Sequence, residues 1–301
     1  MTNKTDQKFT LQSANFEIFS DEKCQLGEGP LWHPMRNELL WFDITNNTLH
    51  VQNEAQHQSF EFDQNVSALA WIDEDLVLIS GEEGLQTLSL NNNTRHAVID
   101  IDKENSITRS NDGRADRQHG FWVSTMGKNA EQDAGAIYRF YKGEVRCLHE
   151  NITIPNAICF SPSGDIAYFA DSMKNFVFKQ QLDKQTGWPI ADAEIFIDFT
   201  SMDQTPDGAV VDAYGNIWIA FWGKSMVEGF APNGQSIGQL RLPTPHTTCP
   251  AFGGNNASTI FVTTAMQGLD DEALAQDKNA GKTFSIATNI KGLAEPNVLL
   301  K

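Results

Sequence analysis

Six times along the chain a turn carrying Pro, Asn, Asp or Gly runs into a short apolar strand, reverses at a polar pair, and enters a second strand rich in Trp, Phe, Tyr and Ile. The copies read GPLWHPMRNELLWFDI, SALAWIDEDLVLISG, NDGRADRQHGFWVSTMG, PNAICFSPSGDIAYFAD, PDGAVVDAYGNIWIAFWG and CPAFGGNNASTIFVTTA. With Pro30, Ala68, Asp112, Asn156, Asp207 and Pro250 as equivalent markers, successive copies begin about 38 to 51 residues apart, a spacing that suits four-stranded propeller blades. One such unit cannot bury its own apolar faces, so the copies must stack on one another.

Each copy has a hairpin signal at its centre, as in Ser163-Gly164-Asp165, Tyr214-Gly215-Asn216 and Gln118-His119-Gly120, where glycine can take the positive φ of a tight reversal. Further short strands are expected over residues 136–140 and 225–230. The long helical pattern of a βαβ fold is missing. The sequence therefore predicts an all-β chain, a six-bladed β-propeller with a metal site at one mouth of its central channel. A β-sandwich is the alternative, although its strands need not recur in blocks of this length. Residues 1–301 read as one domain with a structured core over about 13–290, because the longest polar stretches, near Asn91-Asn92-Asn93 and residues 273–281, are the size of surface loops. Ring closure is expected from pairing of the strand around residues 15–19 with the last blade near 283–286, which would leave no open seam.

In a propeller the innermost strand of every blade lines the channel, so equivalent positions in different repeats converge. The marker positions give Glu28 in LGEGP, Asn111 and Asp112 in RSNDG, Asn156 in IPN, and Asp207 in TPDG. Any one of these alone is a common turn or cap residue. Several at one register form a set of carboxylate and amide oxygens that suits a hard or borderline cation such as Ca²⁺, Mg²⁺ or Mn²⁺. Asn156 is the most telling, since it opens a strand as apolar as Ala157-Ile158-Cys159-Phe160, where an amide needs partners. Asp43 and Asp171 recur at the end of the second strand and read as structural acceptors of turn amides.

The formal net charge of −17, from 39 acidic and 22 basic residues, excludes a nucleic-acid partner on average, and most of these acids read as solvated surface. MTNKTDQKFTLQSANF has no apolar run of the signal-peptide kind, and no stretch has the length of a membrane span, so a soluble, cytoplasmic protein with no membrane partner is expected. Cys24, Cys147, Cys159 and Cys249 form no CxxC pair and read as reduced thiols, with His246 and Cys249 as the one short His/Cys cluster. His33, His119 and His246 are possible rim residues. Trp32, Trp41, Trp122, Trp218 and Trp222 read as blade packing, with a substrate wall as the alternative.

At LGEGPLW, RSNDGRAD, STMG followed by GAIYRF, IPNAICFSPSGDIAYFADS, TPDGAVVDAYGNIWIA and TCPAFGG, from about Gln25 to Thr264, the chain resembles the gluconolactonase, regucalcin and luciferin-regenerating-enzyme family of six-bladed propellers. The resemblance implies a single divalent cation held by Glu28, Asn156 and Asp207, calcium first, with zinc, manganese, magnesium or iron as alternatives. It further implies a sugar-lactone substrate touched by Arg109 and Asn111, hydrolysed to the aldonic acid by a monomer or weak homo-oligomer. Asp207 is the expected proton-transfer residue. Where some relatives carry an acidic substrate contact shortly after TMG, this chain reads Gly127-Lys128-Asn129, so its substrate preference is expected to differ. No Gly-x-Ser-x-Gly elbow supports a serine hydrolase. A non-catalytic cation- or sugar-binding propeller, and a metal-dependent aryl ester or organophosphate hydrolase, are the alternative functions.

Overall fold

The computed structural model describes residues 9–11 and 15–301, so most of the amino-terminal stretch read above for a signal segment, and the expected core edge at 13, lie outside the described residues. Six antiparallel sheets form the blades of a closed ring. Their innermost strands are Gly27–His33, Val66–Trp71, Thr108–Ala115, Pro155–Phe160, Thr205–Val211 and Thr247–Gly253, for blades 1 to 6 in chain order. The two inner strands of a blade are covered on both faces, which explains apolar runs such as Glu38–Asp43 and Ile217–Trp222. Outer strands such as His57–Glu61 and Arg95–Asp100 meet water and are correspondingly polar.

Apolar packing divides into six clusters, one at each junction between neighbouring blades. A fully buried Phe, Leu or Ile in such a cluster contributes about 1.5–3 kcal/mol relative to exposure. The smallest lies between blades 6 and 1, where Cys24, Leu39, Trp41 and Phe261 are joined by Phe19 and Trp32. This is the closure seam. Glu17–Ser20, from the start of the chain, pairs antiparallel with Thr283–Ala287 as the outer strand of blade 6, and Phe19 packs edge-on against Phe261 at 4.9 Å. Phe9–Leu11 adds a parallel fifth strand to blade 5 along Ser236–Arg241.

The hairpin signals at Gly164 and Gly215 hold, with φ of 71° and 86°. At Gln118-His119-Gly120 the positive φ of 66° falls on His119 instead, and Gly120 is needed because a Cβ there would collide with Asp116 and Arg139. Residues 273–281 are not simply a loop, for Asp271–Gln276 forms one short helix whose N-cap Asp270 accepts from the Ala273 amide at 2.8 Å.

Two features of the ring position the channel. All six innermost strands carry a register shift against their neighbour, located between Glu28 and Leu31, Val66 and Ala68, Ser110 and Gly113, Asn156 and Cys159, Pro206 and Ala209, and Thr247 and Pro250. A bulge re-aims side chains out of the sheet's alternation, and here it does so at one level of the ring. Gly29 shows what the crowding demands: its φ is 55°, and a Cβ would press on the Ser67 carbonyl of the next blade.

The second feature is a strap past residue 290, at the end of the channel remote from the bulges. The Lys291 carbonyl accepts from the Ala213 amide of blade 5, and the Gly292 amide donates to Ala257 of blade 6. Val298 then donates to Trp71 and Leu299 to His119, on blades 2 and 3, so the segment crosses the ring.

Two histidines on the blade faces set a pH dependence of stability. Burial lowers His50 and His149 to about 4, and His57, whose Nε2 lies 3.1 Å from His50 Nδ1, adds repulsion to the first. Both folded-state values lie below the ordinary 6.5, so the unfolded chain takes up these protons first as the pH falls. Stability is complete above pH ~6.5 and declines towards pH ~4, by on the order of 2–3 kcal/mol for each histidine. Urea midpoints measured from pH 7 to 4.5 are expected to fall less in a His149→Gln variant than in the wild type. An unchanged slope would remove His149 from the account.

Candidate active site

The bulged ends of blades 1, 3, 4 and 5 meet in a cavity of about 280 Å³ at one mouth of the channel. Glu28, Arg109, Asn111, Asn156 and Asp207, the five site residues expected from the sequence, all line it. Asp43 accepts from the Gln25 and Leu26 amides at 2.8 and 3.1 Å, just ahead of Glu28. Asp171 does the same for Thr153 and Ile154 at 3.3 and 3.4 Å, ahead of Asn156. These two acids are structural, as expected, and their structural task is to fix how two site strands begin.

The side chains form a directed series of hydrogen bonds. Arg109 donates to Asn111 Oδ1 at 2.9 Å, Asn111 Nδ2 donates to Asn156 Oδ1 at 2.9 Å, and Asn156 Nδ2 donates to Asp207 Oδ1 at 2.9 Å. Asn156 Nδ2 also donates to Ser172 Oγ at 2.9 Å, and Ser172 in turn donates to the Pro206 carbonyl at 2.7 Å. Every buried amide proton of Asn156 is therefore committed, which fixes its side chain between blades 3 and 5. Its Oδ1 keeps one lone pair beyond the bond from Asn111.

Glu28 and Asp207 lie close together in the cavity with Asp112 near by, and Glu28 Oε2 accepts from the Gly29 amide at 3.0 Å. Burial, with the Asp112 charge second, pushes Glu28 up to about 8, although its side chain is partly open to the cavity. Asp207 is raised by burial and then by Glu28 and Asp112. Asp112 is raised by burial, against the pull of Arg114 and the Ile158 and Gly113 amides it accepts from at 2.7 and 2.8 Å. Burial lowers Arg109 to about 10.

Below the cavity Arg114 pairs with Glu295. Glu28, Asp112, Asp207 and Glu295 against Arg109 and Arg114 leave the ionised channel two negative charges in excess. Carboxylates gathered out of water in this way are destabilised unless a cation joins them. The donor set, two carboxylates and an amide oxygen in reach of one another, fits one divalent cation of the oxygen-seeking kind.

Several residues of the site escape sequence reasoning. Leu26, Met126, Ile154, Met173 and Pro206 form an apolar wall, and Trp222 lines the same cavity with His246 stacked behind it at 4.2 Å. Trp222 thus both lines the cavity and packs against the apolar cluster between blades 1 and 2, whereas Trp41, Trp122 and Trp218 are fully buried side chains. His33 is wholly buried against the Asp73 carbonyl, and His119 sits under the strap at the other end, so neither belongs to the rim.

The SMP-30/gluconolactonase/LRE-like region family model matches residues 26–266. The chain belongs to this family. Among its relatives, a Rhizobium meliloti protein named as a candidate sugar lactone lactonase is 39% identical over 92% of this chain and 95% of its own length. An L-arabinolactonase of Azospirillum brasilense is 30% identical over 92% of this chain and 93% of its own. The crystal structure of a regucalcin from Agrobacterium tumefaciens, described as a calcium-binding protein, matches with a TM-score of 0.95 at 36% identity, covering 98% of this chain and 100% of that one. The family's six-bladed ring is therefore the fold expected from the repeat. Among the described residues no helix is long and apolar enough to cross a membrane.

Proposed function

We propose that this protein hydrolyses a sugar lactone to its aldonic acid, with one divalent cation held by Glu28, Asn156 and Asp207. Lactonases acting on pentonolactones and on L-arabinolactone are among its relatives of 30% identity. The observation that carries the reading is the convergence of those three side chains, from blades 1, 4 and 5, in a cavity that also presents Arg109 and Asn111.

A bound cation supplies Lewis acidity for the lactone carbonyl and for a water. The remaining work falls to side chains. Asp207, beside the place of the attacking water, accepts its proton as oxygen bonds to the carbonyl carbon. The acyl–oxygen bond of the ring then breaks, and that proton passes to the leaving hydroxyl. Arg109 donates to substrate oxygens, and Asn111, tied to the Pro155 carbonyl at 2.9 Å, holds the guanidinium in place. Trp222 and the apolar wall exclude bulk water from one side of the substrate. Lys128, in the Gly127-Lys128-Asn129 stretch where some relatives place an acid, is engaged by Glu82 at 2.9 Å, and the preference among aldonolactones is expected to reflect that change.

Lactone opening releases acid, so a pH-stat assay on pentono- and hexonolactones tests the proposal directly. Turnover is expected in the presence of calcium, manganese or zinc, with a loss of roughly 100-fold or more under chelator and recovery on adding the cation back. Cation binding with no acid release on any aldonolactone would instead mark a non-catalytic binding propeller. Hydrolysis indifferent to chelator would rule out the cation.

A further inference from the structure

Beneath the cavity a single guanidinium joins the three blades that carry Asn111, Asn156 and Asp207. Arg114 extends from the innermost strand of blade 3, three residues after Asn111. Its Nε donates to the Ile158 carbonyl of blade 4 at 3.1 Å, two residues after Asn156. One terminal nitrogen donates to the Ala209 carbonyl of blade 5 at 3.1 Å, two residues after Asp207. The other pairs with Glu295 of the strap. All these groups are buried.

Asp112 closes the arrangement from the same strand, accepting from the Ile158 and Gly113 amides while Ser124 Oγ donates to its carbonyl at 2.8 Å. The carbonyls that Arg114 grips lie in or just past the register shifts of blades 4 and 5, where the ladder between neighbouring strands is interrupted. Glu295 is itself anchored, for Trp71 Nε1 donates to its carbonyl at 2.8 Å and Arg117 donates to the adjacent Ala294 carbonyl at 2.9 Å.

We propose that Arg114, oriented and neutralised by Glu295 of the carboxy-terminal strap, is a positioning residue that sets the spacing of the site-bearing strands of blades 3, 4 and 5. It touches neither substrate nor cation. Its planar fork reaches three acceptors on three segments at once, which lysine, a point charge with one nitrogen, cannot reproduce. The strap thereby acts on the site from the far end of the channel. The inference rests on the proposed cation site, because spacing matters here only as the distance between Asn111, Asn156 and Asp207.

The test combines calcium titration calorimetry with lactonase kinetics on the full-length wild type, Arg114→Lys and Glu295→Gln, scaled to folded protein by near-ultraviolet circular dichroism. Arg114→Lys is expected to weaken calcium binding by about 10-fold or more and to lower kcat by a similar factor, with a smaller change in KM. Glu295→Gln keeps the size of the side chain and removes its charge; about a threefold or greater loss of calcium affinity is expected. A merely structural pair would lower the melting temperature while each folded molecule bound calcium as the wild type does, and that result would overturn the inference. Should Arg114→Lys fail to fold, the affinity of Glu295→Gln decides alone. A wild type that binds no cation would sink the cation site itself, and is distinguishable from variants that bind as well as a binding-competent wild type.

Discussion

Replacing Asp207 by alanine is expected to lower kcat by on the order of 10³-fold or more while leaving the ring folded. The side chain has two roles in the proposed reaction, as proton acceptor and as one of two carboxylates on the cation, so no excess of metal restores the loss. Its removal also takes away one of three neighbouring carboxyl groups, the one whose proton affinity burial and then the charges of Glu28 and Asp112 raise. The chelated variant is therefore expected to melt no lower than the chelated wild type, and Asn156 Nδ2 still has Ser172 to donate to. Thermal melts in chelator and single-turnover kinetics check the two halves separately. Turnover within a factor of a few of wild type, with cation present, would remove Asp207 from the chemistry.

Glu28→Gln is expected to have the other large effect, and of a different kind. The substitution keeps the shape of the side chain and lowers the channel's excess from two negative charges to one, so cation affinity falls by about 100-fold. Activity measured at low calcium falls with it and returns in good part at saturating calcium, because Asp207 remains as base. Glu28 belongs to blade 1, across the channel from Asn156 and Asp207, and stands outside the hydrogen-bond series that runs from Arg109. Its loss should leave that series intact. Equal affinity of wild type and variant by calorimetry would count against Glu28 as a ligand.

The repeat made the blades, their number and the closure strand legible, because burial on both faces forces inner strands into apolar runs that recur once per blade. The site residues were legible for a related reason: equivalent positions converge, so Glu28, Asn111, Asn156 and Asp207 could be grouped without coordinates. What brings them to one level was not visible. A bulge is a difference in residue count between two paired strands, and neither strand alone records it. Which tryptophan would also form a cavity wall was not legible, because Trp222 shares its strand with the buried Trp218 and differs only in standing at the strand's last position, where the sheet opens onto the cavity. The strap was missed because KGLAEPNVLLK has no period, and its partners, Trp71, Arg117 and His119, lie far away in sequence.

The six register shifts make the mouth of the channel a ring of equivalent sockets, and only four of them present a carboxylate or carboxamide. In blade 2 the socket holds Ser67, which donates to Ser110 Oγ at 2.8 Å, and in blade 6 it holds Thr248, which donates to the Gly27 carbonyl at 2.5 Å. Those two hydroxyls tie neighbouring blades and carry no charge, so chemistry and wedge packing are separable along each strand. A descendant of this chain could change its reaction by exchanging one or two socket residues, while the apolar seams that hold the wheel together stay as they are.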